Sequence, residues 1–500
     1  MTSIHVKNDN QIYPPPHSEH LIHPKYRPDI DGLRAIAILF VVGFHAFPNW
    51  VQGGFIGVDI FFVISGYLIS TIIIGSLERG SFSFVEFYSR RIKRIFPALL
   101  LVLIACFVFG WFTQLAEEYK LLGKHIAGGA GFVANFIFWD ERGYFVSAAE
   151  TKPLLHLWSL GIEEQFYIVW PFLLWFAWKK RIKLLTITII VGVISFALNI
   201  GEVNGGHVVA AFYSPQTRFW ELLMGSVLAY MALHRQQIFP KCRHRLDKWL
   251  SKIVYEHAPE TNGKLLRNIQ SMFGGVLIAI GVLVITKERY FPGWWAVLPT
   301  LGVVLIISAG AQAWFNRVAL SNRVLVWFGL ISYPLYLWHW PLLSFARIVE
   351  SDMPTLEVRI SAVLISILLA WLTFRLIEKP IRFGKRSRAK TVMLLVLMVV
   401  VGYMGYNSYK RDGLGFRLPK ILQEFTQYQH DFSTDFRQGT CFLNPEQDTS
   451  AFNACTSQPE EDKKPSILLW GDSHAAHLYV GYKASFGEKY KIIQRTAGGC

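Results

Sequence analysis

Residues 54–77 read GFIGVDIFFVISGYLISTIIIGSL, a run of 24 residues in which Asp59 is the single charged side chain before Glu78. A run of roughly 17–25 apolar residues can cross the hydrocarbon core of a bilayer as a helix. Comparable runs recur at 184–200, 271–286 and 391–403. The chain of 500 residues is 52% hydrophobic and 17% charged, whereas soluble proteins average about 25% charged residues. The sequence therefore predicts a polytopic α-helical membrane bundle and excludes a disordered chain, a collagen-like rod and an ordinary cytosolic globule.

Eleven spans, about ten plus one extra, can be placed on these runs. Their approximate bounds are 33–48, 54–77, 96–115, 154–178, 184–201, 214–233, 271–287, 294–311, 324–345, 358–377 and 391–408. With the N-terminus inside, the predicted cytoplasmic segments carry 29 Lys and Arg, and the short outer loops carry 7. Because Lys and Arg accumulate on cytoplasmic loops, this bias supports that orientation. The net charge of +15 is thus spread over inner loops, which argues against a nucleic-acid partner.

The segment 125–139 is fairly apolar but contains three Gly and one Asn. Treated as a full span it would put the basic residues 179–181 outside and invert every later loop, so we predict an outer-face or re-entrant piece. The odd number of spans then places everything after about residue 409 on the far side of the membrane. Residues 1–25 are polar and lack a signal-peptide core, which predicts a cytoplasmic tail.

The chain beyond the tail divides into four predicted parts. These are a transmembrane domain at 26–385, an extra transmembrane helix at 386–409, an exported linker at 410–464 and the start of an α/β domain at 465–500. Within the last part, 466–470 and 490–495 have the apolar pattern of strands, and 473–482 has that of a helix.

Three cysteines lie in the predicted exported part, where disulfides persist. Cys441 and Cys455 would close a loop of fifteen residues and are a plausible pair. Cys500 is then left over. Because two strands have too little core to fold alone, we expect the chain to be cut inside its last domain.

Polar side chains inside predicted spans are costly and usually mark a pathway or a site. Arg34 opens the first span and His45 follows eleven residues later. On a helix they would be about 16 Å apart and within about 20° of the same face. Arg34 could bind an anionic donor at the cytoplasmic end of the span, and His45, deeper in the membrane, could act as a proton-abstracting base. An Arg at the membrane border and a His that packs between helices would give the same pattern.

The next two spans contain further candidates with competing explanations. Asp59 fits an interfacial acid, and Ser65 beside Gly66 fits close packing of helices. Arg91 and Arg94 lie where the chain re-enters the bilayer, which fits either a topology anchor or a clamp for phosphates.

Two carboxylates, Glu163 and Glu164, begin the fourth span from its outer side. They could orient a His, hold an acceptor hydroxyl or pair with Arg218 of the sixth span. In the ninth span an aromatic belt explains the Trp and Tyr residues but not His339. The remaining candidates are Tyr144, Trp158, Tyr333 and Tyr336.

Six strings in this order resemble the membrane-bound acyltransferase-3 family, over about residues 26–382. They are YRPDIDGLR at 26–34, GVDIFFVISGY at 57–67, RIKR at 91–94, LHLWSLGIEEQFY at 155–167, SYPLYLWHWP at 332–341 and EKP at 378–380. The resemblance implies a transferase that passes an acyl group, commonly acetyl, from cytoplasmic acyl-CoA to a sugar hydroxyl on an exported glycan. It implies that Arg34, Arg91 and Arg94 hold the CoA phosphates and that His45 is the base or acyl acceptor. An eleventh span before an exported domain resembles the fused subgroup. The resemblance implies a bacterial inner membrane, although a Gram-positive cell surface would give the same pattern.

The string ILLWGDSH at 467–474 resembles the first block of SGNH hydrolases, in which a Ser opens a helix after the first strand. That placement would expose the Ser473 hydroxyl and put backbone N–H groups beside a developing oxyanion. An ordinary helix N-cap would explain the same sequence, because Asp and Ser are both good capping residues. A serine nucleophile also needs a base, which this fold takes from an Asp-x-x-His. No such motif follows Ser473, so we expect the second half-reaction to lie outside these 500 residues.

The resulting hypothesis is a two-stage acyl relay in the lipid bilayer, with acetyl-CoA as donor substrate and no permanently bound cofactor or metal. The acyl group passes His45 and reaches Ser473 or the glycan by way of outer-face residues, for which the candidates are Glu163, Glu164, Tyr144, Tyr333 and Tyr336. One alternative is a transporter or flippase, for which no internal repeat is visible. The other is a membrane-anchored glycan esterase. For the acceptor we favour lipopolysaccharide O-antigen, with peptidoglycan and a secreted polysaccharide open.

Overall fold

The computed structural model describes residues 26–141, 149–234, 247–250, 263–286, 289–383, 387–427, 432–444, 447–455 and 464–498. The helices of its larger part are α1 Pro28–Ala46, α2 Gly57–Glu78, α3 Phe84–Thr113, α4 Ala116–Ala130, α5 Ala134–Asp140, α6 Leu157–Lys179, α7 Leu184–Asn204, α8 Val208–Tyr213, α9 Pro215–Leu233, α10 Lys264–Val284, α11 Val297–Ala309, α12 Arg323–Glu350, α13 Leu356–Leu372, α14 Lys379–Phe383 and α15 Ser387–Lys410. A π-helix, Thr373–Glu378, joins α13 to α14.

Every predicted span overlaps one of these helices. In the described part of the chain, six helices are long and apolar enough to cross a membrane, namely Gly54–Glu78, Phe84–Thr113, Leu184–Asn204, Lys264–Val284, Leu356–Arg382 and Arg388–Lys410. Helices α1, α6, α9, α11 and α12 are not among them, and α11 is part of the shorter apolar helix Gly293–Ala309. The total of eleven spans therefore stays a prediction. The segment 125–139 forms parts of the short helices α4 and α5.

Helix α3 begins well before the span predicted for it. Ser83 caps its N-terminus, because the Ser83 hydroxyl accepts a hydrogen bond from the N–H of Glu86. The basic run that contains Arg91 and Arg94 therefore lies on the same helix as the span predicted at 96–115. A helix holds these two side chains one turn apart on one face.

Helices α2 and α9 approach each other closely at two glycines. A Cβ on Gly66 would lie 1.8 Å from the carbonyl oxygen of Leu222, and one on Gly225 would lie 2.1 Å from that of Val63. Small residues permit such backbone contact between membrane helices. The predicted packing role is confirmed for Gly66, whereas the neighbouring Ser65 side chain lines a cavity.

The extra helix α15 packs directly on α4. A Cβ on Gly123 would lie 2.6 Å from the carbonyl oxygen of Gly405. Beyond α15, the guanidinium of Arg417 donates to the carbonyl oxygens of Gln114 and Leu115, at the C-terminal end of α3. A cation is favourable there because the last carbonyls of a helix have no helical donors. The extra helix is therefore built into the bundle.

The C-terminal part contains α16 Lys420–Gln427, α17 Phe432–Asp435, α18 Ser473–Phe486, β1 Phe442–Leu443, β2 Ser466–Gly471 and β3 Lys491–Ala497. Its three strands form a parallel sheet in the order β1-β3-β2. The strand–helix–strand unit predicted from the sequence is confirmed as β2, α18 and β3.

Strand β1 corrects the predicted boundary at residue 465. Phe442 pairs with Thr496 of β3, so the stretch assigned to a linker at 410–464 already contributes to the sheet. Two residues are too few to show a strand pattern in the sequence. The disulfide between Cys441 and Cys455 is present, which confirms that prediction and ties β1 to the turn that follows it.

Candidate active site

Two neighbouring cavities lie inside the helical bundle. The arginine cavity, of about 90 Å³, has in its wall the predicted cations Arg34, Arg91 and Arg94. The histidine cavity, of about 250 Å³, is lined by His45, His156 and Trp158. Val58 and Tyr336 line both. These two side chains therefore lie between the two cavities.

Glu163 organises one wall of the arginine cavity. Its Oε1 atom accepts hydrogen bonds from the hydroxyls of Ser65 and Tyr167. The guanidinium of Arg91 lies over the ring of Tyr167, 4.0 Å from its centroid. A cation over an aromatic face is attracted by the ring quadrupole. Helix α6 thus fixes the orientation of an arginine that α3 contributes.

Two buried polar atoms in the same wall have no hydrogen-bond partner within the described ranges. They are Oε1 of Glu164 and Nε of Arg91. A buried polar group without a partner costs about 1–3 kcal/mol, and more when it is charged. Both residues line the cavity. The wall is therefore chemically suited to a polar ligand that would supply the missing bonds.

Two basic crevices meet the arginine cavity at Arg94, which lines all three. The crevice between α1, α2, α9 and α12 carries Arg27, Arg34, Arg94, Lys379 and Arg382. The crevice beside the start of α3 carries Arg79, Arg90, Arg91, Lys93, Arg94 and Arg382. Clusters of guanidinium and ammonium groups raise the local concentration of polyanions and can bind phosphates through paired hydrogen bonds.

The histidine cavity contains a pair of imidazoles from α1 and α12. Nδ1 of His45 lies 2.9 Å from Nε2 of His339, and the two ring planes are within 12° of each other. Trp340 meets His45 edge-on, with 4.4 Å between the ring centroids. His339, which an aromatic belt could not explain, is therefore a direct partner of the candidate base.

Tyr336 forms the partition between the two cavities. Its hydroxyl donates to the carbonyl oxygen of His156 and lies 2.7 Å from Oγ of Ser159. Since the hydroxyl has one proton and a carbonyl can only accept, Ser159 is the donor in the second bond. Helices α6 and α12 are thereby joined where the cavities meet.

Arg218 forms a buried ion cluster beside the histidine cavity. Its Nη2 lies 3.0 Å from Oδ1 of Asp59, and its Nη1 lies 3.1 Å from Oε1 of Glu221. All three side chains are at most 1% exposed. This corrects two interpretations: Asp59 is not an interfacial acid, and Arg218 does not pair with Glu163 or Glu164.

The other candidates are divided between the two cavities. Glu163, Glu164 and Tyr333 line the arginine cavity together with the predicted donor-binding arginines, which corrects their assignment to an outer face beyond His45. Trp158 lines the histidine cavity and lies 5.9 Å from the guanidinium of Arg218. Tyr144 lies outside the described residues.

Sequence reasoning missed three residues that shape the site. His156 and Trp340 line the histidine cavity, and Tyr167 supports both Glu163 and Arg91. Each belongs to a family-like string, but nothing in the order of letters says which side chain faces inward. Among the residues that the structure describes, no three His, Cys, Asp or Glu side chains converge as a metal site requires.

Ser473 opens α18 directly after β2, as the sequence predicts. The side chain of Asp472 caps the helix, since its Oδ1 accepts from the N–H of His474 at 2.8 Å. That hydrogen bond lowers the pKa of the Asp472 carboxyl. Ser473 itself is 8% exposed, which corrects the prediction of an exposed hydroxyl. The turn thus has the geometry of an N-cap and also places a hydroxyl at a helix N-terminus.

Two family models match the chain. An "Acyltransferase domain" model matches residues 27–375, and a model described as "SGNH domain (fused to AT3 domains)" matches residues 440–500. The first match contains both cavities and ends before α15. The second begins close to β1, in agreement with the boundary in the structure. No solved structure matches the chain.

Curated relatives match over most of this chain. The "Peptidoglycan O-acetyltransferase OatA" of Listeria monocytogenes is 34% identical over 367 residues, which are 72% of this chain and 56% of that protein. The "Putative peptidoglycan O-acetyltransferase YrhL" of Bacillus subtilis is 32% identical over 460 residues, 88% of this chain and 67% of that protein. The chain thus spans about half to two thirds of the length of these relatives.

Proposed function

Because this chain belongs to the acyltransferase-3 family, with an SGNH domain following its membrane helices, we propose that it is an integral membrane O-acyltransferase. It moves an acyl group, acetyl in the first instance, from cytoplasmic acyl-CoA to a hydroxyl of an exported glycan. The observation that carries the proposal is a series of neighbouring cavities with shared wall residues, from the basic crevices through the arginine cavity to the histidine cavity at His45.

The donor binds at the basic end of this path. The crevices at Arg94 take the phosphates of acetyl-CoA, and the narrow arginine cavity takes its uncharged arm. The phosphate groups carry several negative charges. Arginine guanidinium groups can bind them through bidentate hydrogen bonds. A neutral lipid would use none of these cations, which is why acyl-CoA is the better match.

The acyl group leaves CoA beside His45. Its imidazole either takes the acyl group on nitrogen or removes the proton of an incoming hydroxyl, and the CoA thiol leaves with a proton in both cases. Glu163, Glu164 and Tyr333 line the donor path rather than the acceptor side, so their proposed role is to position the donor. Tyr336 lies where the acyl group crosses between the cavities.

The second stage belongs to the SGNH domain. Ser473 receives the acyl group as an ester or helps to place it on the glycan, with the N-terminus of α18 beside the developing negative charge. The orientation that follows has the N-terminus in the cytoplasm and the SGNH domain outside, in a bacterial cell membrane. It matches the distribution of Lys and Arg.

The acceptor is a cell-surface glycan. The expectation of lipopolysaccharide O-antigen has gained no support, whereas two relatives carry peptidoglycan in their names. We therefore favour peptidoglycan as the glycan to be tried first. O-antigen and a secreted polysaccharide serve as comparison acceptors.

The test uses inside-out membrane vesicles that contain the protein and receive acetyl-CoA labelled in the acetyl group. Label is expected to reach the lumen-side glycan, or the protein itself, in the wild type, and His45→Ala is expected to abolish this transfer. Normal transfer by His45→Ala would refute the assigned site. If the wild type only removed acetyl groups from glycan, the membrane-anchored esterase would be the correct account.

A further inference from the structure

The imidazole pair of His45 and His339 has a fixed direction of hydrogen bonding. Nδ1 of His339 lies 3.1 Å from the carbonyl oxygen of Leu335, one turn earlier on α12. A carbonyl oxygen can only accept, so Nδ1 of His339 must carry a proton. In a neutral His339, Nε2 is then a lone pair, and that is the atom 2.9 Å from Nδ1 of His45.

The same argument fixes the proton on His45. A hydrogen bond between Nδ1 of His45 and the lone pair of His339 needs a donor, and His45 must supply it. The neutral imidazole of His45 therefore carries its proton on Nδ1 and has its lone pair on Nε2. An isolated imidazole could place the proton on either nitrogen.

We propose that His339 is a positioning residue that selects the Nδ1–H tautomer of His45, so that Nε2 is the atom that attacks the acyl carbonyl or removes a proton. The inference rests on the proposed function, because it assigns His45 the reacting role. It adds a chemical reason for a second imidazole in the site and names the reacting nitrogen.

The surroundings of the pair hold both rings in place. His339 is fully buried, and Trp340 packs edge-on against His45. The indole N–H of Trp340 in turn donates to the carbonyl oxygen of Lys152 at 2.8 Å. A ring enclosed in this way pays little further entropy when it adopts the reactive orientation.

Two substitutions of similar size separate hydrogen bonding from packing. His339→Phe keeps an aromatic ring but offers no acceptor to Nδ1 of His45. His339→Gln has an amide oxygen that can reach the position of the lost Nε2 and accept from the same N–H. A purely structural role would be served better by the ring than by the amide, whereas tautomer selection requires the reverse order.

The tautomer is read directly by ¹⁵N chemical shifts of histidine-labelled protein in lipid, with the His45 signals assigned by their loss in His45→Gln. In the wild type and in His339→Gln we expect Nδ1 protonated and Nε2 unprotonated. His339→Phe should show the Nε2–H form and lose acetyl transfer by at least about 100-fold, since a wrong histidine tautomer costs about 10⁴-fold in serine proteases. His339→Gln should keep transfer within about 10-fold.

His156→Phe is the matched control for the spectrum. His156 is another buried imidazole, 5.9 Å from the ring of His339, and its replacement should leave the tautomer of His45 unchanged. A proton on Nε2 of wild-type His45 would overturn the inference, and so would a His339→Phe protein with unchanged tautomer and transfer. If His45→Gln transferred acetyl normally while the tautomer results held, the proposed function would fail and the hydrogen-bond assignment would stand.

Discussion

The guanidinium of Arg218 lies 3.0 Å from the carboxylate of Asp59, and the two side chains are 0% and 1% exposed. Breaking a buried ion pair by removing one partner costs roughly 3–5 kcal/mol, because a charge is left buried without compensation. We therefore expect Arg218→Leu to lower the free energy of unfolding by about that amount, measured by denaturant unfolding of the purified protein in detergent.

Arg289→Leu is the control for this substitution. Arg289 is exposed and lies over the ring of Trp295, so its loss should change the free energy of unfolding by less than about 0.5 kcal/mol. Equal stabilities of the Arg218→Leu and Arg289→Leu proteins would show that the Asp59–Arg218 pair does not support the fold.

Arg91 is predicted to bind donor phosphate through its planar guanidinium, which also stacks on Tyr167 at 4.0 Å. Lysine keeps the charge but loses the fork and the stacking. A charge-assisted hydrogen bond contributes about 1.5–3 kcal/mol, so Arg91→Lys should raise the KM for acetyl-CoA about 10-fold or more. Steady-state kinetics in vesicles measure this change.

The matched control for Arg91→Lys is Arg375→Lys. Arg375 is exposed and stacks on Trp371 at 5.3 Å, so it loses a similar aromatic contact at a position outside the proposed donor path. The KM of the Arg375→Lys protein for acetyl-CoA should stay within about 2-fold of the wild-type value. A 10-fold change would correspond to about 1.4 kcal/mol of binding free energy. A similar rise in both variants would assign the effect to general loss of cation stacking.

Val58 lines both cavities, which makes its side chain a place to close the path. A larger side chain at this position narrows the space between the cavities. Moving the neighbours aside to reopen it would cost about 1–3 kcal/mol of folding free energy. Val58→Phe should therefore lower acetyl transfer by about 10-fold or more and leave binding of CoA at the basic crevices unchanged. Isothermal titration with CoA and the vesicle assay measure the two effects separately.

Val85→Phe adds the same ring at a surface position of α3, where Val85 is 79% exposed. Transfer by that protein should equal that of the wild type. If Val58→Phe transferred acetyl at the wild-type rate, the acyl group would not pass between Val58 and Tyr336, and another route between the cavities would be required.

The sequence predicted which helices exist better than it predicted which helices touch. Apolar runs and helical periodicity depend on neighbouring residues, and they placed Arg34 and His45 correctly on one helix. Asp59 and Arg218 are 159 residues apart, and no local period reveals that α2 and α9 are adjacent. Glu163 and Glu164 were misplaced for a related reason, since their position near the start of α6 does not say how deep the arginine cavity reaches.

The cluster at Glu141 gives a pH-dependent prediction outside the spanning helices. Its carboxylate oxygens lie 2.8 Å from Nε2 of His125, 2.9 Å from Nζ of Lys152 and 3.0 Å from Nζ of Lys124. Burial alone would raise the pKa of the Glu141 carboxyl, but the hydrogen bonds from these three partners outweigh it and hold that pKa below its usual value. The stabilisation is therefore present above the unfolded pKa of about 4.3 and is lost as the pH falls through the lower folded value.

Glu141→Gln should accordingly reduce the free energy of unfolding by about 3 kcal/mol at pH 7, and the difference from the wild type should shrink below about pH 4. Glu117→Gln is the control, because Glu117 is 74% exposed and lies 3.7 Å from Lys120; such a surface pair contributes about 0–1 kcal/mol. Denaturant unfolding at a series of pH values measures both proteins. A wild-type advantage over Glu141→Gln that grew as the pH fell would contradict the sign of the pKa shift. The carbonyl oxygen of Lys152 accepts from the indole N–H of Trp340, which packs against His45. Lys152 thus connects this cluster to the proposed reacting imidazole, so we expect acetyl transfer by Glu141→Gln in the vesicle assay to fall as well, even at pH 7.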